Sequence, residues 1–249
     1  MIISFTSLPS QLRYCRPAVE SILSGYAKPD GIHLYVTEYH NELKGLPVDI
    51  HKVEKDFGPA TKLLYALKDF PNEHIMTIDN DRIYDRDVVF RYLQTLERNP
   101  DSVISDLNTQ AHFDCYPFRQ MCGIDKMFPE GFKGVVYPPH CFDEEVHNTD
   151  VLMKLSPKAD DVWFYVQHLR RGNSVVNAGV EVNHLNSRQN KKMLSTALHK
   201  THNQTDHLGW IAPFERLLKH YGMTCNEAKK EIPVCDIFTL RRLQAKGLI

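Results

Sequence analysis

Over roughly its first 105 residues the chain alternates short apolar strands with amphipathic helices, and few folds accept that pattern. Met1–Phe5 reads as a strand, broken by Thr6-Ser7-Leu8-Pro9-Ser10. Leu12, Tyr14, Val19, Ile22 and Leu23 then recur at helical spacing up to Gly25, which confines Pro17 to the first turn or to a kink. Gly31–Val36 and the alternating Val48–Val53 are further strands. Gly58–Leu67 reads as a helix with Pro59 near its first position. His74–Ile78 is a strand, Asp87–Leu96 a helix and Ser102–Ser105 a strand. Such alternation predicts an α/β fold: a mostly parallel, Rossmann-like central sheet flanked by helices. Ligands of such sheets sit beyond the carboxyl ends of the strands.

The fourth strand runs straight into Asp79-Asn80-Asp81. Two hard oxygen ligands at a strand end suit Mg²⁺ or Mn²⁺, and the cation suits a diphosphate. The same triplet also reads as an acidic turn, since Asp and Asn are ordinary turn residues. Thr6–Pro9 follows the first strand and so belongs to the same rim. Gly58-Pro59 precedes a helix with Lys62 in its first turn, which joins a helix N-terminus to a cation, a phosphate-side arrangement. Taken alone, such a lysine is more often simply solvated.

A second acidic pair, Asp160-Asp161, opens a helical pattern that ends in Arg170-Arg171-Gly172. One of the two suits a general base that takes a proton from an attacking hydroxyl. Helix capping is the plainer reading, and it accounts for one aspartate better than for two. His184 follows a predicted strand at Asn173–Val182, and His199, His202 and His207 lie close behind; their spacing matches no zinc motif.

The 249 residues fit one large domain, or one with an appendage. No apolar run reaches the roughly 18 residues of a membrane span. The N-terminus reads as a first strand rather than a signal peptide. Six cysteines without a C-x-x-C pair suggest free thiols in a reducing cytoplasm. Net charge is −1, but residues 186–249 hold eleven Lys and Arg against five Asp and Glu, leaving −7 on the first 185. That basic part suits peripheral contact with an anionic lipid surface, or simply a solvated helical surface. Nucleic acid is not an expected partner. Residues 107–157 read as irregular, rich in Gly, Pro and aromatics, where specificity is often carried. The phosphate-binding G-x-x-x-x-G-K-[ST], the dinucleotide G-x-G-x-x-G after strand one and G-x-S-x-G are all absent from the sequence.

Six stretches in order, TSLPSQLRYCRPAVESIL with KPDGIHLYV, DFGPATKLLYAL, HIMTIDNDRIYDRDVV, GFKGVVYPP and KADDVWFYVQHLRRGN, resemble the GT-A glycosyltransferases. The nearest likeness is to small bacterial and viral enzymes of the inverting family-two type, over about residues 2–185. The resemblance implies a GT-A domain over 1–185, with a donor half at about 1–106 and an acceptor half at about 107–185. A basic, mostly helical extension at 186–249 would pack on it. It implies a nucleotide-sugar donor, UDP-linked, a Mn²⁺ or Mg²⁺ cofactor and a glycan or glycolipid acceptor. By position, Thr6, Ser7 and Leu8 would lie along base and ribose, with Gly58, Lys62 and Asn80 beside the donor. Asp79 would face ribose or sugar, and Asp81, with Asp79 and His184, would hold the metal. Gly134 and Tyr137 would border the acceptor, and Asp160 or Asp161 would be the base. The first loop departs from the usual S-x-P-x-R, with Gln11 at the arginine position and Arg13 two residues later. Three other readings compete: a phosphatase resembling the haloacid dehalogenases, a nucleotidyltransferase on a similar fold, and an inactive nucleotide-sugar binding module. The continuation Arg82-Ile83-Tyr84 does not fit the phosphatase pattern, and Thr6–Ser10 lacks the basic glycine-rich loop of a nucleotidyltransferase.

Overall fold

A computed structural model describes residues 1–106, 128–179, 182–184 and 211–223. Seven strands form the main sheet: β1 (Ile2–Thr6), β2 (Gly31–Val36), β3 (Asp49–Lys52), β4 (Ile75–Thr77), β6 (Val103–Ser105), β7 (Val135–Tyr137) and β8 (Val175–Asn177). Their spatial order is β3-β2-β1-β4-β7-β6-β8, and only β7 runs against the rest. Two short strands, β5 (Arg82–Tyr84) and β9 (Val182–His184), pair antiparallel apart from it.

Alternate residues of each strand enter two different cores, as the period of two in a pleated strand requires. Ile3, Phe5, Leu34, Met76, Ile104 and Val136 pack beneath α1 (Cys15–Leu23) and α3 (Val88–Arg98). Ile2, Tyr35, Ile75, Val103, Val135 and Tyr137 face α2 (Thr61–Asp69) and α5 (Asp160–Arg170). A sheet covered on both faces needs apolar residues on both, which is why β1 and β4 are apolar on both faces and not alternating, with Ser4 and Thr77 as buried polar exceptions.

Several expectations from the sequence are corrected. The first helix opens as a 3₁₀ turn at Pro9–Tyr14 and becomes α-helical at Cys15, which puts Pro17 within the first turn. The supposed strand Asn173–Val182 divides into β8 and β9, which lie in different sheets. The region taken as irregular up to residue 157 contains α4 (Thr149–Leu155). Its start is set by Asn148, whose side chain accepts a hydrogen bond from the Val151 amide at 3.3 Å. Strand β5, directly after the acidic triplet, was not anticipated; three residues are too few to show a period. Cys15 and Cys141 are buried free thiols, and the other four cysteines lie outside the described residues.

Of residues 186–249 the structure describes α6 (Ile211–His220) and the three residues after it. Phe214 and Leu217 are fully buried in the core beside α5, and Arg216 donates to the Leu155 carbonyl at 2.7 and 2.9 Å. Among the described residues no helix is long and apolar enough to cross a membrane.

The reversed strand shapes the rim of the sheet. With Thr77 opposite Val135 in an antiparallel pair, the residues just before β7 stand beside the carboxyl end of β4. Gly134 makes that approach with a φ of +94°, and its carbonyl accepts the Tyr92 hydroxyl at 2.6 Å. A Cβ there would meet Met76 Cε at 2.6 Å. Gly134→Ala is therefore expected to destabilise the protein by about 1–3 kcal/mol, read as a lowered urea midpoint with unchanged slope.

Candidate active site

The carboxyl ends of β1 and β4, the start of α2, the turn Gly131–Lys133 and the start of α5 converge on one cavity of about 440 Å³. Its centre is Lys62, which is 4% exposed. The Lys62 ammonium donates to Asp79 Oδ1 at 2.8 Å and stands 3.7 Å from Asp160 Oδ2. Local chemistry puts it there. Asp56 Oδ1 accepts from the Gly58 amide at 2.7 Å and from Thr61 Oγ1 at 3.0 Å, which sets the helix start. Ser4 Oγ in β1 then donates to the Lys62 carbonyl at 2.5 Å.

Burial alone would drive the Lys62 pKa down, but Asp79, Asp160 and Asp161 outweigh it and hold the ammonium charged well above its usual range. Burial likewise pushes Asp79 up, yet Lys62 and then Arg82 prevail and keep it below the usual carboxylate value. The other three acids go the other way. Burial raises Asp81, and Asp79 adds to it. Burial raises Asp160 against the pull of Lys62. Asp161 is raised well above its usual value by burial and then by Asp160. The Gly131 amide donates to the Asp161 carboxylate and moderates that rise. A Cβ on Gly131 would meet Asp161 Oδ1 at 2.5 Å and Lys62 Nζ at 3.6 Å, so the close approach requires glycine.

The cap position of α5 belongs to Ala159, and Asp160 and Asp161 are the first two helical residues. The capping reading of the pair is thereby corrected: both carboxylates reach the cavity from the positive end of a helix.

Thr6, Ser7, Leu8, Gly58, Lys62, Asp79, Asn80, Asp81, Asp160 and Asp161 all line the cavity. Asn80 is buried, and its amide donates to Ser7 Oγ at 2.7 Å and to the Gln11 carbonyl at 3.4 Å, which clamps the loop after β1 to the loop after β4. Gly134 and Tyr137 do not line it. Tyr137 is buried in β7, its ring 5.3 Å from Phe142 and 6.0 Å from Phe164. Gly131 and Phe132 come to the cavity wall instead. Backbone pairing sets His184 opposite Arg82. His199, His202 and His207 lie outside the described residues.

Sequence reasoning missed Arg82, Gly131 and Phe132. Arg82 Nε lies 3.4 Å from Asp81 Oδ1, and its guanidinium sits 4.7 Å from the Phe132 ring centroid. The Tyr84 hydroxyl accepts from the Asp79 amide at 2.9 Å and donates to the Phe132 carbonyl at 3.3 Å, bridging the two loops. Adjacency of Arg82 to the acidic triplet was the available signal; the approach of Gly131 and Phe132 had none.

A divalent cation fits this donor set at Asp81. Asp81 Oδ1 is buried and accepts no hydrogen bond. Asp79 has one oxygen engaged by Lys62 and a second to offer. Among the described residues no three His, Cys, Asp or Glu side chains cluster as a complete metal site.

No protein-family model matches the chain, and no curated protein matches it at a significant level. Among solved structures, glucosyl-3-phosphoglycerate synthase from Mycobacterium tuberculosis is similar. Its complex with phosphoglyceric acid aligns at TM-score 0.53 and 12% identity over 90% of this chain and 79% of that one. Its complex with Mn²⁺, uridine-diphosphate and glucosyl-3-phosphoglycerate aligns at 0.52 and 14% over the same shares. The mannosyltransferase PcManGT from Pyrobaculum calidifontis, with GDP-Man and Mn²⁺, aligns at 0.49 and 11% over 71% of this chain. This chain spans only 53% of that enzyme and 59% of the first 349 residues of S. aureus TarS. The fold is GT-A.

Lys62→Met would leave the buried Asp160 and the half-buried Asp79 without their shared cation. The variant is expected to lose about 3–5 kcal/mol of stability at neutral pH, measured by chemical denaturation.

Proposed function

We propose that this chain is a metal-dependent glycosyltransferase. It moves a sugar from a nucleoside-diphosphate sugar, UDP-linked, to a hydroxyl of a glycan or glycolipid, with inversion at the anomeric carbon. One observation carries the reading: Lys62 ties the D-x-D end of β4 to the Asp-Asp start of α5, so two acidic pairs 79 positions apart share one cavity. The GT-A fold of the chain supports it.

The loop Thr6–Leu8, clamped by Asn80, would lie along base and ribose. Asp79, oriented by Lys62, would hold ribose or sugar hydroxyls. Mn²⁺ or Mg²⁺ at Asp81, with the second oxygen of Asp79 and with His184, would supply positive charge to the leaving nucleoside diphosphate. In one displacement the acceptor oxygen bonds to the anomeric carbon as the bond to the diphosphate breaks. The acceptor proton goes to Asp161. Asp161 suits that role better than Asp160 because it is the more exposed of the two, while Asp160 stands 3.7 Å from Lys62 as its second counter-charge. The Gly131 amide orients the base, and Gly131 and Phe132 border the acceptor. The basic balance of residues 186–249 supports an acceptor at an anionic membrane surface.

Calorimetry with UDP, GDP, CDP and dTDP, with and without Mn²⁺, tests the reading: UDP is expected to bind with Mn²⁺, and silence from all four in any metal rejects it. Asp161→Asn is expected to lose transfer by about 10²-fold or more while keeping donor binding. Full transfer by that variant removes the base assignment. Because Asp161 must be ionised to accept a proton and its pKa is raised, kcat/KM should fall on the acid side. The fall should come at a pH above the ordinary carboxylate range, and Asp161→Asn should abolish that limb.

A further inference from the structure

A second group of ionisable side chains lies outside the cavity, where the edge strand β3 pairs with β2. His33 and Tyr35 of β2 share one face with Asp49 and His51 of β3, because Asp49 is registered with His33 and His51 with Tyr35. His33 Nδ1 stands 3.0 Å from His51 Nε2. His33 is 7% exposed, with its ring 4.4 Å from that of Phe70. His51 stacks on Tyr35, ring centroids 4.7 Å apart. The other His51 nitrogen, Nδ1, faces Asp69 Oδ2 at 3.8 Å, and that oxygen accepts the Tyr35 hydroxyl at 2.8 Å. Asp49 Oδ2 stands 3.8 Å from His33 Nδ1, on a side chain that is 74% exposed. Lys62 lies in the first turn of α2 and Asp69 ends that helix, so this group sits about 10 Å along the axis from the cavity's lysine.

We propose that His33 and His51 form a two-nitrogen chelate for a tetragonal transition cation, Cu²⁺ or Ni²⁺, at a site separate from the cavity, and that the bound ion clips β3 to β2. The two nitrogens meet across a single proton, and a cation takes the place of that proton. Asp69 favours the His51 proton on Nδ1, which leaves a lone pair at Nε2. The shared proton then belongs to His33 Nδ1 and passes through solvent to His33 Nε2 as the metal binds, so both rings ligate as neutral imidazoles. Gly31 leaves room for that: a Cβ there would stand 2.7 Å from His33 Nε2. Burial, and then His51, holds the His33 pKa below its usual value, which keeps the ring neutral for ligation at neutral pH. Spacing selects the ion. Metal–nitrogen bonds of about 2.0–2.1 Å to two nitrogens 3.0 Å apart subtend an angle of about 95°. That angle suits neighbouring corners of a tetragonal Cu²⁺ or Ni²⁺ site and is too narrow for tetrahedral Zn²⁺. Two nitrogens are fewer than a full ligand set, so the exposed Asp49 carboxylate and water take the remaining corners. Mg²⁺ and Mn²⁺ prefer oxygen ligands, which separates this site from the one at Asp81.

The test titrates Cu²⁺ alone into the full chain, against a competing chelator, and records the electron paramagnetic resonance spectrum of the first equivalent bound. The parent is expected to give a tetragonal spectrum split by two nitrogens. His51→Gln and His33→Gln each leave one imidazole and are expected to bind that equivalent at least about 10²-fold more weakly, since the second ligand of a preformed pair acts at high effective concentration. Asp81→Asn, altered in the cavity, should match the parent. A parent spectrum without two coupled nitrogens overturns the proposal, as does parent-like affinity in both histidine variants, which would place the ion on other histidines. Loss of the two-nitrogen spectrum in Asp81→Asn overturns it as well. Ni²⁺ supplies the second measurement. It should raise the urea midpoint of the parent and leave that of His51→Gln unmoved, because the chelate exists only with β3 paired to β2; an equal rise in both overturns the clip. His51 is the more exposed of the pair, so His51→Gln is the variant expected to fold. If neither variant folds, crystals of the parent soaked in Cu²⁺ decide by anomalous scattering: a peak between the two rings supports the site, and no peak there overturns it.

Discussion

An ammonium group buried among carboxylates holds this molecule's working end together. Lys62 is reached by Asp79 from the end of β4 and by Asp160 from α5, two elements far apart in sequence. Removing a charge from water costs several kcal/mol, and the cost is met only while each partner stays in place. The ion group therefore constrains three backbones at once: the first turn of α2, the end of β4 and the start of α5. The turn around Asp56 and the Ser4–Lys62 hydrogen bond are the local devices that deliver the lysine to that point.

Charge in the cavity is uneven. Lys62 and Arg82 stand against Asp79, Asp81, Asp160 and Asp161 on its walls. Of these four acids only Asp79 is held below its usual pKa, since it has a cation at hydrogen-bond distance with a second beside it. The remaining three carboxylates are all raised by burial. With carboxylates outnumbering cations on its walls, such a cavity favours added positive charge.

The single reversed strand completes the enclosure. Because β7 enters the sheet antiparallel beside β4, its preceding turn is carried across the rim and places Gly131 against Asp161 and Phe132 against Arg82. A parallel strand in the same slot would send that turn to the far end of the sheet. Tyr84 then joins the two loops through one hydroxyl, and Asn80 joins the β4 loop to the β1 loop.

The sequence by itself determined the α/β class, the rim on which a ligand would sit and the ten residues that reached the cavity from motifs. Those are local properties: apolar periodicity sets strands and helices, and short motifs sit at the ends of elements. The family resemblance places Gly134 and Tyr137 at the acceptor side by position, yet strand pairing buries Tyr137 in the core and puts Gly134 over Met76. Only the tertiary structure decided that Asp160 and Asp161 point into the cavity rather than cap a helix, since the cap position went to Ala159. It also decided which cation answers which carboxylate. Pairing of charges depends on distances between elements far apart in sequence, and a linear pattern carries no record of those distances.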